Sequence, residues 1–319
     1  MQNSNGHLGR RGLLAGLAAR ALLGGLAARA LLAGIAATGL LTPANAAPAP
    51  VWVPVPIPPQ VPARTGLAEL PGARLHFWDT EGPGHPVILM HAGTQSAAGW
   101  PYQQPVLAQA GFRVIGYSRR GYQGSDPGDP ADPGYAADDL RNLIQYLKLD
   151  KVDLVAAAHG GFFALDYALA HPEKVRSLTI VSSLMGITDP DYAAVNARLR
   201  PKFFATLPHD FQELSPSYRA GNPEGLAAWH ELDKAAIPGP RITPRMRVPL
   251  TWERLRTIRH PTLLMTGDSD LYTPPSLLRM QAQHMPHAEV HIIAEAGHSP
   301  YWEQPVVFND RLIAFLRRQ

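Results

Sequence analysis

Cysteine is absent from all 319 residues. Disulfides, thiolate catalysis and cysteine-ligated metals are therefore excluded, although the absence fits any compartment. Charge is sparse, at 17% of residues against 45% hydrophobic, and no acidic residue precedes Glu69. The formal charge of +3 belongs to the first 46 residues: without Arg10, Arg11, Arg20 and Arg29 it becomes −1, and nothing in the electrostatics supports nucleic-acid binding. Metal spacing is missing among the 13 histidines. His284 and His287 come nearest, but they lack an adjacent carboxylate and a third ligand, so neither a metal nor another cofactor is expected. Long unbroken apolar runs are also missing: Arg20 and Arg29 interrupt the Ala/Leu-rich start, whereas a membrane span needs about 20 mostly apolar residues.

That start reads instead as an export signal over residues 1–46. A polar beginning with Arg10-Arg11 leads into small and apolar residues and ends at Ala44-Asn-Ala46, which would leave Ala47 as the mature terminus. The paired arginines point to the twin-arginine route, although Gly9 and Gly12 are loose matches to its motif. A periplasmic or secreted protein with no membrane span after cleavage is the expectation. Residues 47–65 follow, with Pro54, Pro56, Pro58 and Pro59 ruling out a helix or central strand. They predict an extended linker or a strap along the folded domain.

From Ala68 to Thr80 apolar and polar residues alternate around Pro71-Gly72, as in a β-hairpin. Next come short, nearly continuous apolar runs at Pro86–His91, Arg113–Tyr117, Val152–Ala157, Val175–Val181 and Pro261–Thr266. Strands covered on both faces look like this. Helical stretches separate them, including Tyr135–Lys148 with Leu140, Leu143, Ile144 and Leu147 on one face. The alternation predicts right-handed βαβ units and a mostly parallel sheet.

Val152 to Asp166 runs from strand through small-residue turn into helix, the form of a nucleophile elbow. Read against G-x-S-x-G, Ala156 and Gly160 take the small positions and Ala158 takes that of the nucleophile. A methyl group cannot attack. Neither an acyl-enzyme nor the ester of an aspartate nucleophile can form at 158.

Together with His91-Ala-Gly93, Arg120-Gly-Tyr-Gln-Gly-Ser125, Gly267-Asp-Ser-Asp270 before Pro274, and Gly297-His298, this elbow makes residues 68–318 resemble the α/β-hydrolase superfamily. The phrase Tyr167–Leu178 is similar to the branch of esterases, epoxide hydrolases, haloperoxidases and carbon-carbon bond hydrolases. The resemblance implies an α/β fold with a mostly parallel eight-stranded sheet flanked by helices, formed by residues 66–185 and 258–319. A helical cap is implied at 186–257. The resemblance also implies His298 as the base, Asp270 as the acid that orients it, and Asp268 as the alternative acid. The backbone N–H groups of Gly93 and His159 would be the oxyanion donors.

His91 and Thr94 on the third-strand loop, with Phe204 and Trp229 in the cap, are candidates for a substrate pocket. His91 also reads as a loop anchor, and the cap aromatics, among them Tyr192, Phe203, Phe211, Tyr218 and Trp252, equally read as the cap's own core. An apolar cap with few charges favours a small hydrophobic substrate. Three readings of Ala158 stay open: an enzyme using a His-Asp dyad without covalent catalysis, a serine hydrolase whose nucleophile has been exchanged for alanine, and a noncatalytic binding protein. Ser96, Ser118, Ser182, Ser183 and Ser299 fall at strand ends or loops where a hydroxyl could substitute. Oligomeric state is not legible.

Overall fold

The computed structural model describes residues 53–240 and 242–319. The export signal and the start of the Pro-rich linker lie outside the described residues. Strands β1 (Arg64–Leu70) and β2 (Ala73–Asp79) form the expected hairpin, whose turn places Gly72 at φ +84°. The remaining strands are β3 (Pro86–Met90), β4 (Arg113–Tyr117), β5 (Val152–Ala157), β6 (Val175–Val181), β7 (Thr262–Gly267) and β8 (Ala288–Ile293). They make one eight-stranded sheet in the order β1-β2-β4-β3-β5-β6-β7-β8. Only β2 runs antiparallel to its neighbours; the pairs from β4 to β8 are parallel.

The apolar runs are continuous because both faces of the sheet are covered. Ile88, Met90, Leu154, Ala156 and Leu264 enter one core, while Val87, Leu89, Val155, Ala157, Leu263 and Met265 enter the other. This is the two-residue period of a strand expressed as two hydrophobic layers. Each fully buried large aliphatic side chain contributes roughly 1.5–3 kcal/mol of transfer free energy. Helix Ala136–Tyr146 turns Leu140, Leu143 and Ile144 inward, as its periodicity predicts.

Residues 53–63 form no regular element and are tied along the domain. Val61 N donates to Gln104 Oε1, Gln104 Nε2 returns a bond to Val61 O, and Tyr102 Oη donates to Val55 O. Between β6 and β7 the chain forms helices Pro190–Leu199, His209–Glu213, Pro216–Gly221 and Pro223–Ala236. At the C-terminal end of the residues assigned to the insert, 186–257, Leu250 and Leu255 are buried in the same core as Leu154. Among the described residues no helix is long and apolar enough to cross a membrane.

Candidate active site

β5 ends at Ala157, and helix His159–Ala170 begins immediately after Ala158. Ala158 adopts φ +48° and ψ −115°, a conformation costly for any residue with a Cβ, on the order of 1–3 kcal/mol. Its N–H donates to Val181 O at 2.8 Å, pinning the turn to β6. A Cβ on Gly160 would lie 2.5 Å from Met90 O, and one on Gly161 2.5 Å from Ser183 Oγ, so the helix can start this close to the sheet only with glycine at both positions. The elbow keeps its strained form with a methyl group at its tip.

The acid and base loops are brought together by backbone. A Cβ on Gly267 would lie 2.0 Å from Ala296 O, so glycine lets the end of β7 rest on the loop after β8. Asp268 N then donates to Ile293 O and Ser269 N to Ala296 O. Asp270 is 2% exposed and accepts from Tyr272 N at 2.7 Å, Thr273 N at 2.9 Å and Thr266 Oγ1 at 2.8 Å. His298 Nδ1 lies 3.0 Å from both Asp270 carboxylate oxygens. Burial penalises both charges, yet their mutual attraction and hydrogen bonding outweigh it. Asp270 is held below the usual carboxylate range, and His298 rises above its ordinary value. With Nδ1 engaged, Nε2 is the nitrogen available for proton transfer. Asp268, the alternative acid, is exposed and accepts from the Ser269 hydroxyl.

His298 opens onto a cavity of about 510 Å³ that Gly93, Thr94, Ala158 and His159 also line. Asp270 stands behind the histidine. Three residues proposed for the pocket do not line it: His91, Phe204 and Trp229. His91 is fully buried, donating from Nδ1 to Ala92 O at 2.7 Å and accepting at Nε2 from Arg119 N at 3.1 Å, which makes it an anchor of the loop. Phe204 packs edge-on against Tyr272, and Trp229 is buried with Leu214 and Tyr218. Packing has taken Trp229 into the hydrophobic layer on one face of the sheet and Phe204 against the loop after β7.

The cap instead supplies Arg200, His209, Glu213, Asp233 and Ile237 to the cavity. The expectation of a cap wall with few charges is corrected on this point. Glu213 is 4% exposed; it accepts from Thr94 Oγ1 at 3.0 Å, and its carbonyl accepts from His298 N at 2.7 Å. Burial pushes its carboxyl above the usual range, opposed by attraction to His298 and by the Thr94 bond. No motif pointed to these residues. Of the five alternative serines only Ser182 lines the cavity, with φ +50° and its hydroxyl 3.4 Å from Thr266 Oγ1. Ser96, Ser118 and Ser183 bond to Gln123, Ala97 N and Met185 N, and Ser299 points its hydroxyl at Glu213. Among the described residues no group of three or more metal-ligating side chains could hold a metal ion.

An open, mostly parallel sheet with a strained strand-to-helix turn beside a carboxylate-held histidine defines an α/β enzyme of hydrolase type. The chain belongs to the alpha/beta hydrolase family, whose model matches residues 87–311. It is 27% identical over 323 residues to bifunctional epoxide hydrolase 2 of Mus musculus, covering 84% of this chain but only 58% of that protein's length. It is 26% identical over 267 residues to 2-hydroxy-6-oxononadienedioate/2-hydroxy-6-oxononatrienedioate hydrolase 2 of Pseudomonas putida, covering 76% of this chain and 92% of that one. Among solved structures, a thermophilic esterase from Thermogutta terrifontis superposes with a TM-score of 0.66 at 23% identity, over 80% of this chain and 99% of the esterase. That likeness is one of fold.

Proposed function

We propose that the protein is an exported hydrolase that cleaves a small ester, lactone or activated carbon-carbon bond through His298 and Asp270, with no covalent enzyme intermediate. The observation that carries this reading is His298 Nδ1 at 3.0 Å from both Asp270 oxygens, on a cavity wall shared with the methyl group of Ala158. His298 Nε2 takes a proton from water as the water oxygen adds to the substrate carbonyl. Asp270 stabilises the imidazolium, and the N–H groups of Gly93 and His159 receive the oxyanion. Collapse expels the leaving group. General-base catalysis of this kind contributes about 10²- to 10⁴-fold.

Aryl acetates, an epoxide and a vinylogous diketo acid are the substrates to try first, the last two because of what the named relatives act on. Turnover of p-nitrophenyl acetate by the wild type, lost by at least about 100-fold in His298→Ala, is the expected result. Unchanged turnover in His298→Ala would defeat the reading. A second reading, a serine hydrolase with its nucleophile replaced, is favoured by the strained φ that Ala158 keeps without a hydroxyl to present. A large gain of esterase activity from Ala158→Ser alone would establish it. Export rests on residues 1–46, and mass spectrometry of secreted protein beginning at Ala47 is its test.

A further inference from the structure

Glu213 ends helix His209–Glu213 and is the one residue of that short helix whose carboxyl is both buried and on the cavity wall. Its two hydrogen-bond donors are hydroxyls, Thr94 Oγ1 at 3.0 Å and Ser299 Oγ at 3.5 Å, and both address Oε2. Among the described residues Oε1 has no hydrogen-bond partner, and no Lys or Arg lies within ion-pair distance of the group. Five titratable groups couple to it: His298 from the base loop, His209 from its own helix, Asp233 from helix Pro223–Ala236, Tyr272 from the loop after β7 and Tyr301 from the segment after His298. Of these, His298 is already paired with Asp270. The main chain fixes the position, because His298 N donates to Glu213 O at 2.7 Å. Thr94 meanwhile follows Gly93 on the expected oxyanion loop, so one carboxyl touches both the base loop and the oxyanion loop.

We infer that Glu213 is the general acid of this site, handing a proton from Oε1 to the departing group while His298 accepts one from water. The inference rests on the hydrolytic reading above. With a methyl group at 158 no enzyme oxygen takes part in acyl transfer, so water addition and leaving-group departure involve two oxygens at different positions on one carbon. A carboxyl on a second wall serves the departing oxygen without movement of the imidazole. In the sequence, a water O–H bond breaks, its proton goes to His298 Nε2, and the oxygen bonds to the acyl carbon. The bond from that carbon to the leaving oxygen then breaks with its electron pair on oxygen, which takes the Glu213 proton. Transfer of the His298 proton to the Glu213 carboxylate restores both groups, and the net change is ester plus water to acid plus alcohol. A buried carboxyl whose neighbouring imidazole is hydrogen-bonded to another carboxylate holds its proton more tightly than an exposed one, as this role requires.

The test uses the full-length mature chain with p-nitrophenyl, phenyl and benzyl acetate, whose leaving groups need a proton to increasing degrees. Glu213→Gln is expected to lose about 100-fold in kcat/KM on benzyl acetate and little on p-nitrophenyl acetate. The alkaline fall of the kcat/KM profile should disappear with it. Glu213→Asp, which keeps an acid, should retain the wild-type dependence on leaving group, and His298→Ala should lose all three substrates alike. An equal loss on every ester, or none, in a folded Glu213→Gln protein would overturn the inference and leave the hydrolytic reading standing. If the wild type turns over no ester, it is the hydrolytic reading that fails. Infrared difference spectra of wild type minus Glu213→Gln at neutral pH then decide the proton without turnover: a protonated carboxyl band supports its placement on Glu213, and a carboxylate band alone overturns it.

Discussion

Asp270 and Glu213 are both almost fully buried, both act on His298, and burial raises the cost of charge on each. They end in opposite directions. Asp270 meets an imidazole, a threonine hydroxyl and two backbone N–H groups, which together offset desolvation and keep it ionised. Glu213 meets two hydroxyls on a single oxygen, and its carboxyl stays above the usual range. The contrast teaches that burial alone does not fix the charge of a carboxyl; the partners that meet it do, and for Asp270 the first of these is His298, ahead of the backbone donors. It also follows the construction of the molecule. Asp270 sits where the loops at the ends of β7 and β8 are clamped together by main chain, whereas Glu213 comes from a five-residue helix of the cap.

The strongest way to break this contrast is Asp270→Asn. Loss of the carboxylate releases the orientation and charge of His298, and kcat on p-nitrophenyl acetate is expected to fall by at least about 100-fold, as in His298→Ala. A loss smaller than that of Glu213→Gln on the same ester would reverse the ranking of the two groups. Next in size is Gly160→Ala, which drives a Cβ toward Met90 O, a backbone atom that cannot step aside. Overpacking of this kind costs about 1–3 kcal/mol, read as a lower urea midpoint at unchanged slope.

The pH dependence of stability should carry opposite signs at the two carboxyls. Asp270 has a lowered folded value, so the stability it contributes is present above the ordinary carboxylate range and is lost as pH falls through that lowered value. Glu213 has a raised one, so its contribution is complete below the ordinary range and is lost as pH rises through the raised value. Urea titrations of wild type against Asp270→Asn and against Glu213→Gln at several pH values should give differences that slope in opposite directions. Parallel slopes would remove the distinction. The smallest effect is expected at the cap surface: His209→Ala breaks a pair with Asp233 at 3.0 Å in which the histidine side chain is 57% exposed. Stability should change by no more than about 0.5 kcal/mol, with KM the quantity that moves.

What was legible in the sequence follows the same division. β5 and β7 were readable because apolar cover on both faces leaves a continuous hydrophobic run. His298, Asp270, Ala158 and Gly93 were nameable through the resemblance to the α/β-hydrolase superfamily, whose motifs here include Gly160 and Gly267, positions where close approach of backbone demands glycine. The cap left no such trace. Phe204 and Trp229 read equally as pocket or core and were taken by packing, while the cavity received Arg200, His209, Glu213 and Asp233 from three separate segments; only His209 and Glu213 share a helix, one too short to show a period. Nor could composition foretell that Val61 and Gln104 would exchange two hydrogen bonds along the Pro-rich strap.

The junction between cap and base loop has one more consequence. Within residues 213–217, Glu213, Ser215 and Ser217 make six hydrogen bonds to Thr94, Glu295, His298, Ser299 and Glu303. Gly297 permits the contact, since a Cβ there would lie 2.7 Å from Glu213 O. Lifting the cap at this edge would sever all six bonds together and carry Glu213 away from the histidine. The edge is the fixed post of the cap, while His209 and Asp233 are wall residues of the same cavity that reach solvent.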